Sequence, residues 1–271
     1  MNNKKWMAFP YLLWMSAFII IPLLMVLYYG FSSKNGSFTL ENIALIATPV
    51  NRKALWLSIK LSLFSTIICL VLAYPLAMIL NGMKLKNNSS IIMIFILPMW
   101  MNFLLRTIAW QNILERTGIL NNILRFLRLP TLDIINTPSA IVFGMVYNFL
   151  PFMVLPIYNV LIKISDDIIN AARDLGANSI HTFFKIILPL SFPGVISGIT
   201  MVFVPALTTF AISDILGGSK VVLIGNVIEQ QYKIINNWHT GSGLSIVLMI
   251  FILISMAVLS KYDKDGEGQG I

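Results

Sequence analysis

Apolar runs of about twenty residues recur along nearly the whole chain, and a polypeptide patterned this way has few folds open to it. At about 1.5 Å of rise per residue, about 20 residues of helix cross a hydrocarbon core of about 30 Å. The runs cover Trp6 to Phe31, Leu55 to Leu80, Ile91 to Ile113, Ser139 to Ile162, Phe192 to Ser213 and Gly241 to Ser260, each long enough for one crossing. Charged residues make up 11% of the 271, against about 25% in soluble domains, which excludes a water-soluble fold. The expectation is an all-α integral membrane protein of about six transmembrane helices. It forms a single transmembrane domain over residues 1–271, with both termini on one side.

Lys4 and Lys5 before the first run resemble the start of a signal peptide. That run continues to Phe31 without a small-residue cleavage site, so it reads as an uncleaved first helix. Pro22, Pro75, Pro98, Pro151, Pro156 and Pro205 fall inside the runs. In a bilayer, neighbouring helices or a cavity satisfy the carbonyl that a proline frees, so these positions read as kinks made for packing. Cys69, the single cysteine, sits in an apolar run and reads as a small core residue. The formal charge of +8 is scattered between the runs without interleaved aromatics, which points to lipid headgroups and away from nucleic acid.

Lysines and arginines divide almost evenly between the two sides, so the charge rule does not orient the chain, although the cluster Lys84 to Asn88 favours a cytoplasmic N-terminus. The polar stretch Ser165 to Pro189 is more informative. Ser165 can cap a helix whose positive end Asp166 and Asp167 complement, and Ile168, Ala172 and Leu175 follow helical spacing. Gly176 can adopt a left-handed cap. Asn178 or Ser179 can start a second helix with Ile180, Phe183, Phe184 and Ile187 on one face, disturbed by Pro189. Two amphipathic helices at a small-residue corner form a knob suited to a groove on another protein, or a hairpin lying flat on the bilayer.

Asn170-Ala171-Ala172, Gly176 six residues after Asn170, and Ile186, Leu188 and Pro189 are spaced as in the EAA loop of bacterial ABC importer permeases, which this segment resembles. Asn170 stands where that family usually has glutamate. Further stretches, Pro98 to Arg106, Thr137 to Ala140, Leu150 to Val154 and Asp214 to Ile228, resemble the PotB type of spermidine/putrescine permease over nearly the full chain. The resemblance implies a type I importer permease of MetI-like fold in the bacterial inner membrane. The loop 165–189 then faces the cytoplasm as a coupling loop, with Asn170, Ala171, Ala172, Asp174, Gly176, Phe183, Ile186, Leu188 and Pro189 as its contact set. It further implies a PotC-like second permease, two PotA-like ATPases and a PotD-like extracytoplasmic binding protein. ATP and Mg belong to the ATPase, and no cofactor is expected in this chain.

Ionisable residues within spans cost roughly 2.5 to 3.5 kcal/mol on insertion scales, so each needs a reason. Lys60 reads as snorkelling to the interface. Arg106 could pair with Asp214, or Asp214 could meet an incoming ammonium group. A route for polyamines calls for carboxylates and aromatic faces, so Trp100, Asn102, Arg106, Tyr147, Asp214 and Glu229 are the pathway candidates. Packing is the competing reading for Trp100 and Tyr147, and a solvated loop for Glu229. Gly217 to Lys220 lacks the spacing of a phosphate-binding loop, and His181 and His239 fall on opposite sides of the membrane, so no catalytic or metal site is expected. A permease for iron, phosphonate or opine shares the loop and stays open as an alternative. An ion-coupled secondary transporter would favour inverted repeats, which are not evident.

Overall fold

A computed structural model describes residues 9–83, 97 and 99–267. Among these, five helices are long and apolar enough to cross a membrane: α1 (Pro10–Phe31), α2 (Pro49–Gly82), α5 (Pro138–Leu161), α7 (Ser179–Thr208) and α10, apolar over Trp238–Lys261. Shorter helices separate them: α3 (Phe103–Leu114), α4 (Ile119–Phe126), α6 (Asp166–Asp174), α8 (Ala211–Gly217) and α9 (Ile224–Lys233). The expected crossing over Ile91 to Ile113 lies partly outside the described residues, as does Pro98. Its described part ends in α3, which starts only at Phe103 because Asn102 accepts the Leu104 amide and caps the helix there.

Prolines shape two of the long helices in the same way. A proline lacks its amide donor and crowds the carbonyl four residues earlier, and a widened turn relieves that crowding. The Ile21 amide accordingly reaches back five residues to the Ser16 carbonyl just before Pro22, and the Leu188 amide reaches Phe183 just before Pro189. The second helix of the polar loop therefore does not stop near Pro189; it runs on as α7. At its other end α7 stops at Thr208, short of the expected Ser213. Pro205 donates no amide, and the Thr208 hydroxyl takes the Val204 carbonyl at 3.1 Å. Asp214 consequently belongs to the separate helix α8.

The described chain forms two compact units, one bounded by Met1–Leu55 and Ile224–Leu253, the other by Trp56–Leu223 and Ile254–Ile271. In the first, Asn42 donates to the Ser32 and Gly30 carbonyls where α1 ends. There His239 Nδ1 lies 2.7 Å from the Ser32 carbonyl, so it carries the proton and donates.

In the second unit α5 and α7 pack along their length. Met153, Val154, Ile157, Tyr158 and Leu161 of α5 meet Val195 and Val202 of α7 together with Cys69, Ala73 and Ala77 of α2. Gly194 and Gly198 let the backbones approach, since a Cβ on Gly198 would stand 2.7 Å from Met153 Sδ and one on Gly194 2.8 Å from the Pro156 carbonyl. Small residues four apart are a usual device where lipid gives helices no hydrophobic reason to associate. A second core joins Ala140, Ile141 and Met145 of α5 to Ile212 and Leu216 of α8. The segment between α3 and α5 is fastened by buried Asn121, which donates to the Glu115 and Leu132 carbonyls and accepts from the Leu132 amide. In the same segment the Arg116 guanidinium hydrogen-bonds Asp133 and holds its carboxyl below the usual carboxylate range.

Candidate functional site

The polar elbow between α5 and α7 is built from local signals. The Ser165 hydroxyl accepts the Asp167 amide at 3.2 Å and starts α6. Gly176, at φ +84°, ends it. The Gly176 amide bonds the Arg173 carbonyl at 2.9 Å and the Ala177 amide bonds Ala172 at 3.0 Å, the paired arrangement of a Schellman cap. Asn178 then accepts the His181 amide at 2.8 Å and opens α7. The elbow's apolar residues divide. Ala172 is buried, and Phe183, Ile187 and Leu188 pack on the α2–α5–α7 core. Leu175 and Ile180, at 90% and 70% exposure, point away from it with Phe184 and Ile168. Asn170, Ala171, Asp174 and Pro189 are exposed, and Ile186 is half-buried. The elbow is thus a knob with one side rooted in the helical core and an apolar tip that is exposed among the described residues.

A contact that periodicity does not reveal anchors the root. Tyr74 of α2 and Ser191 of α7, both buried, lie 2.6 Å apart. Ser191 donates to the Leu188 carbonyl, so the Tyr74 hydroxyl is the donor in the pair. Phe183 stands edge-on to Tyr74 at 5.6 Å. This latch ties α2 to α7 directly beside the widened Phe183–Ile187 turn. Tyr74→Phe is expected to lower stability by about 1 kcal/mol, the usual net worth of one hydrogen bond. It should also loosen the link between elbow and core, read as faster hydrogen exchange of the elbow amides. Unchanged exchange would leave Tyr74 a packing residue only.

The pathway candidates divide by location. Trp100 is 72% exposed, and Asn102 is engaged as the α3 cap. Arg106 is buried, with its guanidinium carbon 5.9 Å from the centre of the Tyr147 ring. Trp110 meets Tyr147 at 5.2 Å and Phe143 at 4.7 Å, forming an aromatic wall between α3 and α5. Asn148 donates to the Gly144 carbonyl and lies 3.4 Å from the Thr107 hydroxyl. The pairing of Arg106 with Asp214 weighed above is not formed: Arg106 makes no ion pair among the described residues, because its side chain turns onto the Tyr147 face of α5. Asp214 sits exposed in the first turn of α8, which packs against α3 and α5. Glu229 lies in the other unit and pairs with Lys233 at 2.7 Å, one turn along α9. Among the described residues no cluster of potential metal ligands exists.

With an apolar helical bundle and a protruding capped elbow established, comparison with known proteins decides the family. Residues 4–262 match the family described as binding-protein-dependent transport system inner membrane component. The chain belongs to that family. This permease is 38% identical over 260 residues, 93% of its own length and 91% of the relative's, to the spermidine/putrescine transport system permease protein PotB of Haemophilus influenzae. To the PotB of Escherichia coli it is 37% identical over 253 residues, 90% of this chain and 92% of that one. Its fold is similar to a chain of a bacterial alginate ABC transporter in complex with its periplasmic protein, at a TM-score of 0.78 and 14% identity, covering 94% of this chain and 91% of that one. A chain of the MetNI methionine ABC transporter in an inward-facing conformation matches at a TM-score of 0.53 and 17% identity, covering 80% and 94%. The fold is that of an ABC importer permease, and the chain is a multi-pass inner-membrane transport subunit.

Sequence reading had not singled out Tyr74, Ser191, Gly194 or Gly198. The glycines carry a readable signal, the Gly-x-x-x-Gly spacing within an apolar run. The Tyr74–Ser191 bond has none, since it joins residues 117 apart.

Proposed function

We propose that this permease is one half of the membrane pathway of a polyamine importer driven by ATP, taking up spermidine or putrescine. The observation that carries the reading is end-to-end similarity: the curated relatives matched over nine-tenths of their length are permeases of that substrate class. In this reading a PotC-like permease completes the pathway, two PotA-like ATPases bind ATP and Mg, and a PotD-like protein delivers substrate from outside. The elbow 165–189 and both termini lie in the cytoplasm. The apolar tip at Leu175, Ile180 and Phe184 enters a groove on the ATPase, and the Tyr74–Ser191 latch passes its movement to the helical core. Asn170 replaces a carboxylate with an amide at the tip's polar edge, leaving recognition there to neutral hydrogen bonds.

Polyamines are flexible polycations with methylene stems, so a route for them needs negative charge and aromatic faces. Asp214, exposed on α8, supplies the charge, and the exposed Trp100 supplies a face, whereas the Tyr147 ring is taken by Arg106. The test is uptake of radiolabelled spermidine and putrescine by vesicles holding the complete complex. Vanadate-sensitive uptake is expected, and Asp214→Asn should lower it about tenfold, the equivalent of about 1.4 kcal/mol, with unchanged subunit composition. Uptake of iron, a phosphonate or an opine in place of polyamines would overturn the substrate assignment. Vanadate-insensitive uptake would overturn the energy source.

A further inference from the structure

Where α1 ends and α10 begins, the first compact unit holds a cavity of about 590 Å³, within the range of about 300 to 1,000 Å³ usual for a small-ligand site. Lys34, Asn236 and Asn237 form its polar side, and Tyr29 and Trp238, with ring centres 6.0 Å apart, give it aromatic faces. The two amides are set as donors. The Asn236 side-chain oxygen accepts the Trp238 indole N–H at 2.9 Å, and the Asn237 side-chain oxygen accepts the Thr240 amide at 3.2 Å. Each NH2 group is therefore left to donate, and Lys34 adds an ammonium that makes no ion pair among the described residues. No aspartate or glutamate lines the cavity. An ammonium and two amide donors without a carboxylate select an anion. A polyamine would be repelled by Lys34 with nothing negative to offset it, so this is not a station for the substrate proposed above.

Position decides which anion. α1 and α10 are both membrane-spanning helices, so the end of one and the start of the other lie at the bilayer surface, the level that tyrosine and tryptophan favour. Met25 and Ile235 form the cavity's apolar side, and Ile21, one turn before Met25, carries an exposed apolar track along α1 toward the hydrocarbon. A free inorganic ion leaves such a track bare, whereas a lipid tail covers it. We propose that the cavity binds the headgroup of an anionic phospholipid of the phosphatidylglycerol class, its phosphate on Lys34 and the two amides and an acyl chain along Met25 and Ile21. His239 lines the same cavity. Its Nδ1 donates to the Ser32 carbonyl, which leaves Nε2 as an acceptor for a glycerol hydroxyl. The lipid then adds to the fastening of α1 to α10 that the bond between Ser32 and His239, 207 residues apart, already makes. The site depends neither on which side of the membrane it faces nor on the substrate carried.

Two measurements test it on the full chain, purified in mild detergent with the subunits that accompany it. In the first, phosphatidylglycerol carrying a photoreactive group beside its headgroup should label the peptide that holds Ile235 to His239. Lys34→Glu should lower that labelling about tenfold, the scale of one lost hydrogen bond to a charged group. Lys34 is exposed and makes no ion pair among the described residues, so the fold should tolerate this change. Asn236→Asp with Asn237→Asp should lower labelling as strongly, because the aspartates keep the oxygens that meet Trp238 and Thr240 but replace both donors with negative charge. In the second, added dioctanoyl phosphatidylglycerol should raise the unfolding temperature of the native chain and not of the variants, as a ligand of the folded state does. Phosphatidylcholine of the same chain length should give no such rise. Native-level labelling in both variants, or an equal rise with phosphatidylcholine, would overturn the proposal. An equal rise with inorganic phosphate alone would overturn it in favour of a free anion. Variants that keep their lipid but lose an extracytoplasmic binding protein would overturn it in favour of a protein carboxylate.

Discussion

A leucine in place of Gly198 should destabilise the permease by about 3 kcal/mol and lower both its yield and its unfolding temperature. The Cβ that any side chain adds there meets Met153 Sδ at 2.7 Å, the Met153 carbonyl at 3.2 Å and its Cα at 3.4 Å. Only the first belongs to a flexible group; the others are backbone of α5, held by the Met153 and Ile157 core on either side of the contact. Overpacking of a tight site typically costs about 1 to 3 kcal/mol, and a branched side chain against backbone belongs at the upper end. A total stability of only about 5 to 15 kcal/mol makes such a loss consequential. Helix association in lipid also rests largely on close packing, so the α5–α7 contact has little else to replace it. The measurement is the yield of monodisperse protein and its thermal unfolding in detergent. Gly82→Ala is the control, since a Cβ there meets nothing within 4 Å, and it should unfold at the native temperature. A Gly198→Leu protein equally stable to the native one would mean that α5 and α7 do not need their close approach.

What the sequence disclosed and what it hid follow from how far apart the interacting residues stand. The caps at Ser165, Gly176 and Asn178 were legible because each acts within three residues of itself, and the structure places all three as expected. The long apolar helices were legible because the bilayer imposes their length. Helix ends inside apolar runs were not. Hydropathy does not register that Thr208 captures a carbonyl next to Pro205, or that Asn102 caps a helix within an apolar run, so the boundaries of α7 and α3 moved. Residue type alone ranked Arg106 with Asp214 as opposite charges. Only the fold shows that the guanidinium lies over Tyr147, a partner with no charge to advertise it. Asn102, weighed as an amide wall for substrate, is occupied at the start of α3.

The elbow supports the largest functional prediction, because its tip can be altered without touching the core. Leu175 and Ile180 are exposed at 90% and 70%, so Leu175→Asp with Ile180→Asp removes almost no buried contact from the chain itself. Stability should stay within about 0.5 kcal/mol of native, as for other surface changes. The same two carboxylates become expensive if the tip must enter an apolar groove on an ATPase, because each would be desolvated without a partner. An anchor pair of this kind typically contributes about 2 kcal/mol or more. Affinity for the ATPase should therefore fall by about 30-fold or more, and ATP-dependent uptake should fall with it, while insertion and thermal unfolding of the permease stay native. Ala172 provides the contrast. It is buried at the root, so Ala172→Asp should lower stability as well as coupling. Should the Leu175→Asp, Ile180→Asp protein still hold its ATPase at native strength, the tip would lie on the bilayer surface, and force would have to reach the core by another route.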